Sequence, residues 1–170
     1  MPDKVGTAVF PPTVEWTLRN PRTKETRTFE QSELTIEGEA RLLALVQQTA
    51  AALSETSFPW DKLAELFDPA VTGIDWQVAA EMLGMISTQL PEVVSEAAVI
   101  FLGIYADNED GTRNPDYDGD KRFLRSALNF TRFVDLVKVF AQQNDYQRLS
   151  LPFGRALEAG ARMMPPQSGT

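Results

Sequence analysis

Apolar and polar residues alternate at the start of the chain. In Thr13-Val-Glu-Trp-Thr-Leu18 the side chains of Val14, Trp16 and Leu18 fall on one face, the period of a half-buried strand. Asn20-Pro21 marks a turn, and Lys24-Glu-Thr-Arg-Thr-Phe29 is Thr-rich and strand-like. Residues 13–30 therefore predict a β-hairpin with a loop of about four to six residues. A lone hairpin is marginal in water, so it must pack on something, and the chain beyond it is patterned for helices.

From Thr35 onward the period changes. Leu42, Val46 and Leu53 recur at helical spacing with Ala filling the intervals. Ser57 precedes a short second helix over 59–67, ended by Asp68-Pro69. Asp75 can cap a third helix whose stripe is Ala79, Met82, Leu83, Ile86 and Leu90. Pro91 suits the first turn of a fourth helix running to Tyr105, which is polar only at its start and then apolar all round. Such an element belongs at the centre of a bundle. An acidic stretch comes next, then a short helix over 121–128. Asn129 or Thr131 opens the best-patterned helix, with Phe130, Phe133, Val134, Val137, Phe140 and Ala141 on one face and Arg132, Asp135, Lys138 and Gln142 opposite. Asn144-Asp145 ends it. The last stretch mixes Pro and Gly with scattered apolar residues and allows at most a short helix around 154–162.

The expected fold is mainly α: a single helical domain of five or six helices with an N-terminal β-hairpin. Its parts are an arm (1–12), the hairpin (13–30), a helical body (31–148) carrying an acidic loop at 107–120, and a Pro/Gly-containing C-terminal tail (149–170). The 170 residues, 43% of them apolar, suffice for one core.

Composition narrows the chemistry. With no cysteine, disulfides, thiolate metal sites and cysteine nucleophiles are impossible. With no histidine, the commonest general base near neutral pH is missing and a Ser-His-Asp triad cannot be built. The net charge of −8 repels a phosphate backbone, so nucleic acid is not the expected partner. No run approaches the roughly 18 apolar residues of a membrane helix, and the N-terminus has neither the basic nor the apolar region of a signal peptide. The expected location is the cytoplasm. Charge is unevenly spread. Residues 36–106 hold ten acids against two bases, residues 107–120 six against one, and residues 121–148 two against six. The basic segment can either pair with the acidic loop beside it or serve as one pole of a docking surface.

The stretch DNEDGTRNPDYDGDKR, Asp107 to Arg122, invites comparison with a calcium loop. An EF-hand places oxygen ligands at positions 1, 3, 5, 7 and 9, Gly at 6 and a bidentate Glu at 12. With Gly119 at position 6, Asn114, Asp116 and Asp118 take the first three ligand positions, but position 12 is Arg125. With Gly111 at 6, position 1 is Ala106 and position 12 is Tyr117. Neither register supplies the bidentate ligand, so no metal ligand and no cofactor is assigned. The expectation is a solvated loop whose Asp118 and Asp120 cap a helix beginning near Lys121. Carboxylate pairs such as Asp107 with Asp110, or Asp116 with Asp118, would be the material of a glycosidase or two-metal site. Neither G-x-x-x-x-G-K nor G-x-G-x-x-G occurs, and no catalytic residue is assigned.

The order of features resembles the tail assembly chaperones of long-tailed bacteriophages. The chain is short and acidic, has an N-terminal strand pair and a helical body, and ends its patterned part on Asn129-Phe-Thr-Arg-Phe-Val-Asp-Leu-Val-Lys-Val-Phe-Ala-Gln-Gln-Asn-Asp-Tyr146. The likeness covers residues 13–146 and lies in architecture, so it transfers no functional residue. It implies a non-enzymatic cytosolic helper that coats the tape measure protein and brings tail tube subunits to it. The acidic loop and the Leu-Pro-Phe tail match no feature of that family. A binder of this kind needs an apolar groove and a charged exterior. Leu151, Phe153, Leu157, Met163 and Met164 lie beyond the patterned core yet are apolar, and are the candidate partner-facing residues. The competing reading folds them back to complete the core. Two rival functions remain: a virion connector or tail component that would form a ring, and a calcium-binding or carboxylate-based enzyme module.

Overall fold

A computed structural model describes residues 12–66, 73–144, 152–156 and 159. Two strands, β1 (Val14–Arg19) and β2 (Thr26–Gln31), pair antiparallel with Trp16 opposite Phe29 and Val14 opposite Gln31. Alternation does what the pattern predicts: Trp16, Leu18, Phe29 and Gln31 are buried while their neighbours face solvent. Asn20 shapes the turn, its Oδ1 accepting from the backbone N–H groups of Arg22 (2.9 Å) and Thr23 (3.2 Å). Its Nδ2 donates to Ser126 Oγ at 2.7 Å, tying the hairpin tip to a residue 106 positions later in the chain.

Among the described residues the hairpin is followed by α1 (Ile36–Leu53), α2 (Trp60–Leu66), α3 (Trp76–Gln89), α4 (Pro91–Phe101), α5 (Tyr117–Ala127) and α6 (Phe130–Gln143), with a further helical turn at 152–156. The mainly α architecture with its N-terminal hairpin is the one expected. Local chemistry sets the starts. Thr35 Oγ1 accepts from Gly38 N, Asp75 Oδ1 from Gln77 N and Val78 N, and Asn129 Oδ1 from Arg132 N, so each satisfies backbone donors that the first helical turn leaves unpaired. Pro91 stands at the first position of α4, where its missing N–H is not needed.

Helix α4 is the central element. Ala97, Ala98, Val99, Ile100 and Phe101 are all buried, and α1, α3, α5 and α6 pack around it. It stops at Phe101, short of the Tyr105 end expected from the apolar run. Gly103 takes a left-handed φ of 63°, Ile104 N donates to Val99 O (2.8 Å) and Gly103 N to Ile100 O (3.1 Å), a helix stop that only glycine adopts without strain. Leu102 is buried past the helix end, so apolarity alone cannot mark the boundary.

One further boundary and one buried face differ from expectation. Helix α5 begins at Tyr117, which puts Asp118 and Asp120 inside its first turn rather than at its cap, and Asp116 at the cap makes no side-chain bond there. Gly119, poor in helix interiors, hides the early start. On α6 the buried face is Phe133, Val134, Leu136, Phe140 and Gln143, while Phe130 at the first turn is 43% exposed. Leu136, fully buried, is absent from the predicted stripe. It stands three residues after Phe133 and four before Phe140, on a second helical register that the stripe omits.

The core divides. The larger part joins the hairpin to α1, α4, α5 and α6 around Trp16, Phe29, Leu42, Phe101, Leu124, Leu136 and Phe140. A smaller part gathers Leu53, Phe58, Leu63 and Met82, with Trp60, Leu66 and Ile86 against it.

Candidate functional site

The acidic loop is an organised β-turn structure. Asn108 N donates to Thr112 O (2.7 Å), Gly111 N to Asn108 O (2.9 Å), and Gly111 takes φ 80°, the arrangement of a tight hairpin with a glycine bulge. Asp107 pairs with Arg113 across it. Asp110 Oδ1 accepts from Thr112 N (2.9 Å) and Thr112 Oγ1 (2.6 Å), and these bonds to the charged form hold the Asp110 carboxyl below its ordinary range.

Two more carboxylates have cationic partners. Asp118 accepts from Arg113 at 2.8 Å, and Asp120 from Arg27 of β2 at 2.6 Å. Hydrogen bonds from Arg27 to Glu25 and Asp120 raise its guanidinium pKa, and its cation lies 5.1 Å from the ring of Phe123. Lys121 reaches Glu96 on α4, which raises the lysine pKa. Among the described residues these pairs do not join the basic segment to the loop before it: Arg27 and the loop's own Arg113 pair with two of its six carboxylates. No group of three or more Asp or Glu among the described residues is placed to grip a metal ion. Asp110 and Asp118, members of the two candidate catalytic pairs, are committed to Thr112 and Arg113.

A cleft of about 730 Å³ opens between the end of β2, the start of α1 and the loop. Glu30, Glu33, Glu37, Asp107 and Glu109 line it, with no Lys or Arg. Beside it Ile36, at the first position of α1, is 88% exposed. This corner of the surface is strongly anionic.

The chemically distinct feature lies between the helices. An apolar cleft of about 190 Å³ is walled by Leu42, Leu45 and Val46 of α1, Trp60 and Leu63 of α2, Leu83 and Ile86 of α3, Val94, Ala97 and Phe101 of α4, and Phe133, Val137 and Phe140 of α6. Its exposed walls are wholly apolar. Unfilled apolar volume leaves wall atoms without dispersion partners on one side, which suits it to receive apolar side chains. A second apolar cleft, of about 130 Å³, adjoins it and shares Leu63, Leu83, Ile86, Val137 and Phe140. Trp60 carries a further irregularity: its indole N–H is buried and has no acceptor among the described residues. A buried N–H left so costs about 1–3 kcal/mol.

Phe153 belongs to both clefts. Residues 152–156 form a helical turn, Phe153 is buried (5% exposed), and its ring centroid lies 6.5 Å from that of Phe140. Of the five residues singled out as partner-facing, Phe153 is thus placed inside the apolar clefts. Leu151, Leu157, Met163 and Met164 lie outside the described residues. The sequence carries no separate signal for the cleft. Its wall stripes are legible there, but the gap between stripes depends on how the helices cross.

No helix among the described residues is long and apolar enough to cross a membrane. No family model, curated protein or solved structure matches this chain.

Proposed function

We propose that the protein is a non-enzymatic assembly factor of the phage tail assembly chaperone type, which shields an apolar helical segment of its partner, the tape measure protein or the tail tube subunits, until that segment is incorporated. The observation that carries this reading is the wholly apolar cleft between α1, α2, α3, α4 and α6, set in a chain of net charge −8. An amphipathic helix laid into a hydrophobic groove is a recurrent mode of recognition, and surplus negative charge keeps such a complex soluble. The pairing of Asp118 with Arg113 and of Asp120 with Arg27 supports a structural reading of the acidic loop.

Co-expression provides the test. The chain is produced with and without a tape measure protein, and the soluble fraction is resolved by size and by mass photometry. The proposal predicts that the partner is soluble only in company and co-elutes with this chain. Partner solubility indifferent to this chain refutes it. A closed ring of this chain alone turns the reading towards a virion component.

A further inference from the structure

Phe153 is the only described residue of the tail's 152–156 turn that is fully buried, and it occupies apolar space that α2, α3 and α6 leave between them. It lines both apolar clefts. Their walls include Leu63, Leu83, Ile86, Val137 and Phe140, which face both volumes. Two residues on, Arg155 is exposed. The turn therefore presents one aromatic anchor inward and one cation outward. The segment holding α1–α4, four of the five helices that wall the larger cleft, carries ten acids against two bases, a net charge opposite in sign to that of Arg155.

We propose that the 152–156 turn is a self-ligand: it holds the cleft in place of a partner's short amphipathic helix bearing an aromatic anchor and basic flanks, and binding requires its release. The inference rests on the reading of the cleft as a partner site. Its physical content is competition. A site occupied in cis for about 90% of the time binds an external ligand about tenfold more weakly than a vacated one. Because the turn fills the site only in part, a longer segment of the same chemistry gains what the turn leaves uncovered. The arrangement also accounts for one aromatic residue being both buried and separate in sequence from the patterned helices.

The probe is this chain's own segment, a fluorescein-labelled peptide of residues 149–162, titrated by anisotropy against the full wild-type chain and its Phe153→Ala variant. Saturable binding to the variant, at least about tenfold tighter than to wild type, is expected. The same peptide carrying Phe153→Ala should not bind, and one carrying Arg155→Glu should bind more weakly. Equal affinity for both proteins overturns the proposal, as does failure of a folded variant to bind. Hydrogen exchange on the wild type tests the point independently of whether the variant folds. Backbone amides of 153–156 should exchange at least about tenfold faster than those of the buried face of α6, and protection equal to α6 shows permanent core and overturns the latch. The two readings fail separately: absence of the helical partner from the complex with peptide binding intact removes the functional proposal, and the converse removes only the latch.

Discussion

The indole N–H of Trp16 donates to Oε1 of Gln31 at 2.8 Å, joining the two strands on their buried side. Gln31 is fully buried; its Nε2 donates to Leu136 O at 2.9 Å, and its own carbonyl accepts from Gln143 Nε2 at 2.8 Å. Nearby, Asn144 Oδ1 accepts from Leu34 N and its Nδ2 donates to Phe140 O. Primary amides with a donor and an acceptor at one end thus fix the hairpin's register on the last turns of α6. Gln31→Met keeps the volume but leaves the Trp16 N–H unpaired in a buried site. It should lower unfolding stability by about 1–3 kcal/mol in urea titration. In a double-mutant cycle with Trp16→Phe the two losses should be far from additive; additivity would show that the bond contributes nothing.

Gly38 approaches Tyr105 closely. A Cβ added there would sit 2.7 Å from the tyrosine hydroxyl and 3.3 Å from Leu34 Cδ2. In an open helix Gly→Ala gains about 1 kcal/mol. Here the ring is held 4.9 Å from the Arg41 guanidinium, so the clash should reverse the sign and Gly38→Ala should melt below wild type. Adding Tyr105→Phe removes the offending oxygen. The double variant should then melt above the Tyr105→Phe single variant, and a deficit would mean that Leu34 is the obstacle.

The legible parts of the chain are those decided within a few residues. Thr35, Asp75 and Asn129 cap the helices they precede, Pro91 opens α4, and the alternation at Trp16 and Leu18 gives the hairpin its buried face. The illegible parts are decided at a distance. Asp120 has the sequence context of a cap, but its partner, Arg27, lies on β2, ninety-three positions away. Gln31, Gln143 and Asn144 have the look of surface amides, since no local pattern shows that their partners meet inside. The apolar cleft is of the same kind: each wall residue fits an ordinary core stripe, and only the packed arrangement leaves space between them.

The polar contacts of Asp110 and Lys121 dictate two titrations of opposite sign. The Asp110 carboxyl is held below its ordinary 3.8 by Thr112, so its contribution to folding is fully present above that pH and is lost as pH falls through the lower folded value. Thr112→Val should move the Asp110 carboxyl resonance back towards ordinary titration; an unmoved midpoint would exclude the hydroxyl as the cause. For Lys121 the pKa is raised above 10.5 by Glu96, so the pair's contribution holds below 10.5 and fades as pH rises through the raised value. Glu96→Gln should flatten the alkaline limb of the stability curve, measured by denaturant midpoint from about pH 9.5 to about 11.5, roughly one unit either side of the ordinary lysine value.

Phe101 stacks on Phe140, ring centroids 4.8 Å apart and planes 28° from parallel, at the point where α4 meets α6 and the apolar cleft begins. Removing the ring both withdraws buried apolar surface and enlarges a volume that is already unfilled. The walls cannot collapse easily, because Phe133 and Leu136 are fixed on the same buried face of α6. Phe101→Ala should therefore cost about 3–5 kcal/mol, the range for a core aromatic cut back to Ala. Ile36, 88% exposed at the start of α1, is the matched control, and Ile36→Ser should stay within about 0.5 kcal/mol of wild type. Comparison of the two denaturant midpoints separates burial from mere apolarity. Comparable small losses at both positions would mean that α4 is not the centre of the core. A large loss at Phe101 that is partly recovered by adding a small apolar ligand, such as benzene, would locate the missing volume in the cleft itself.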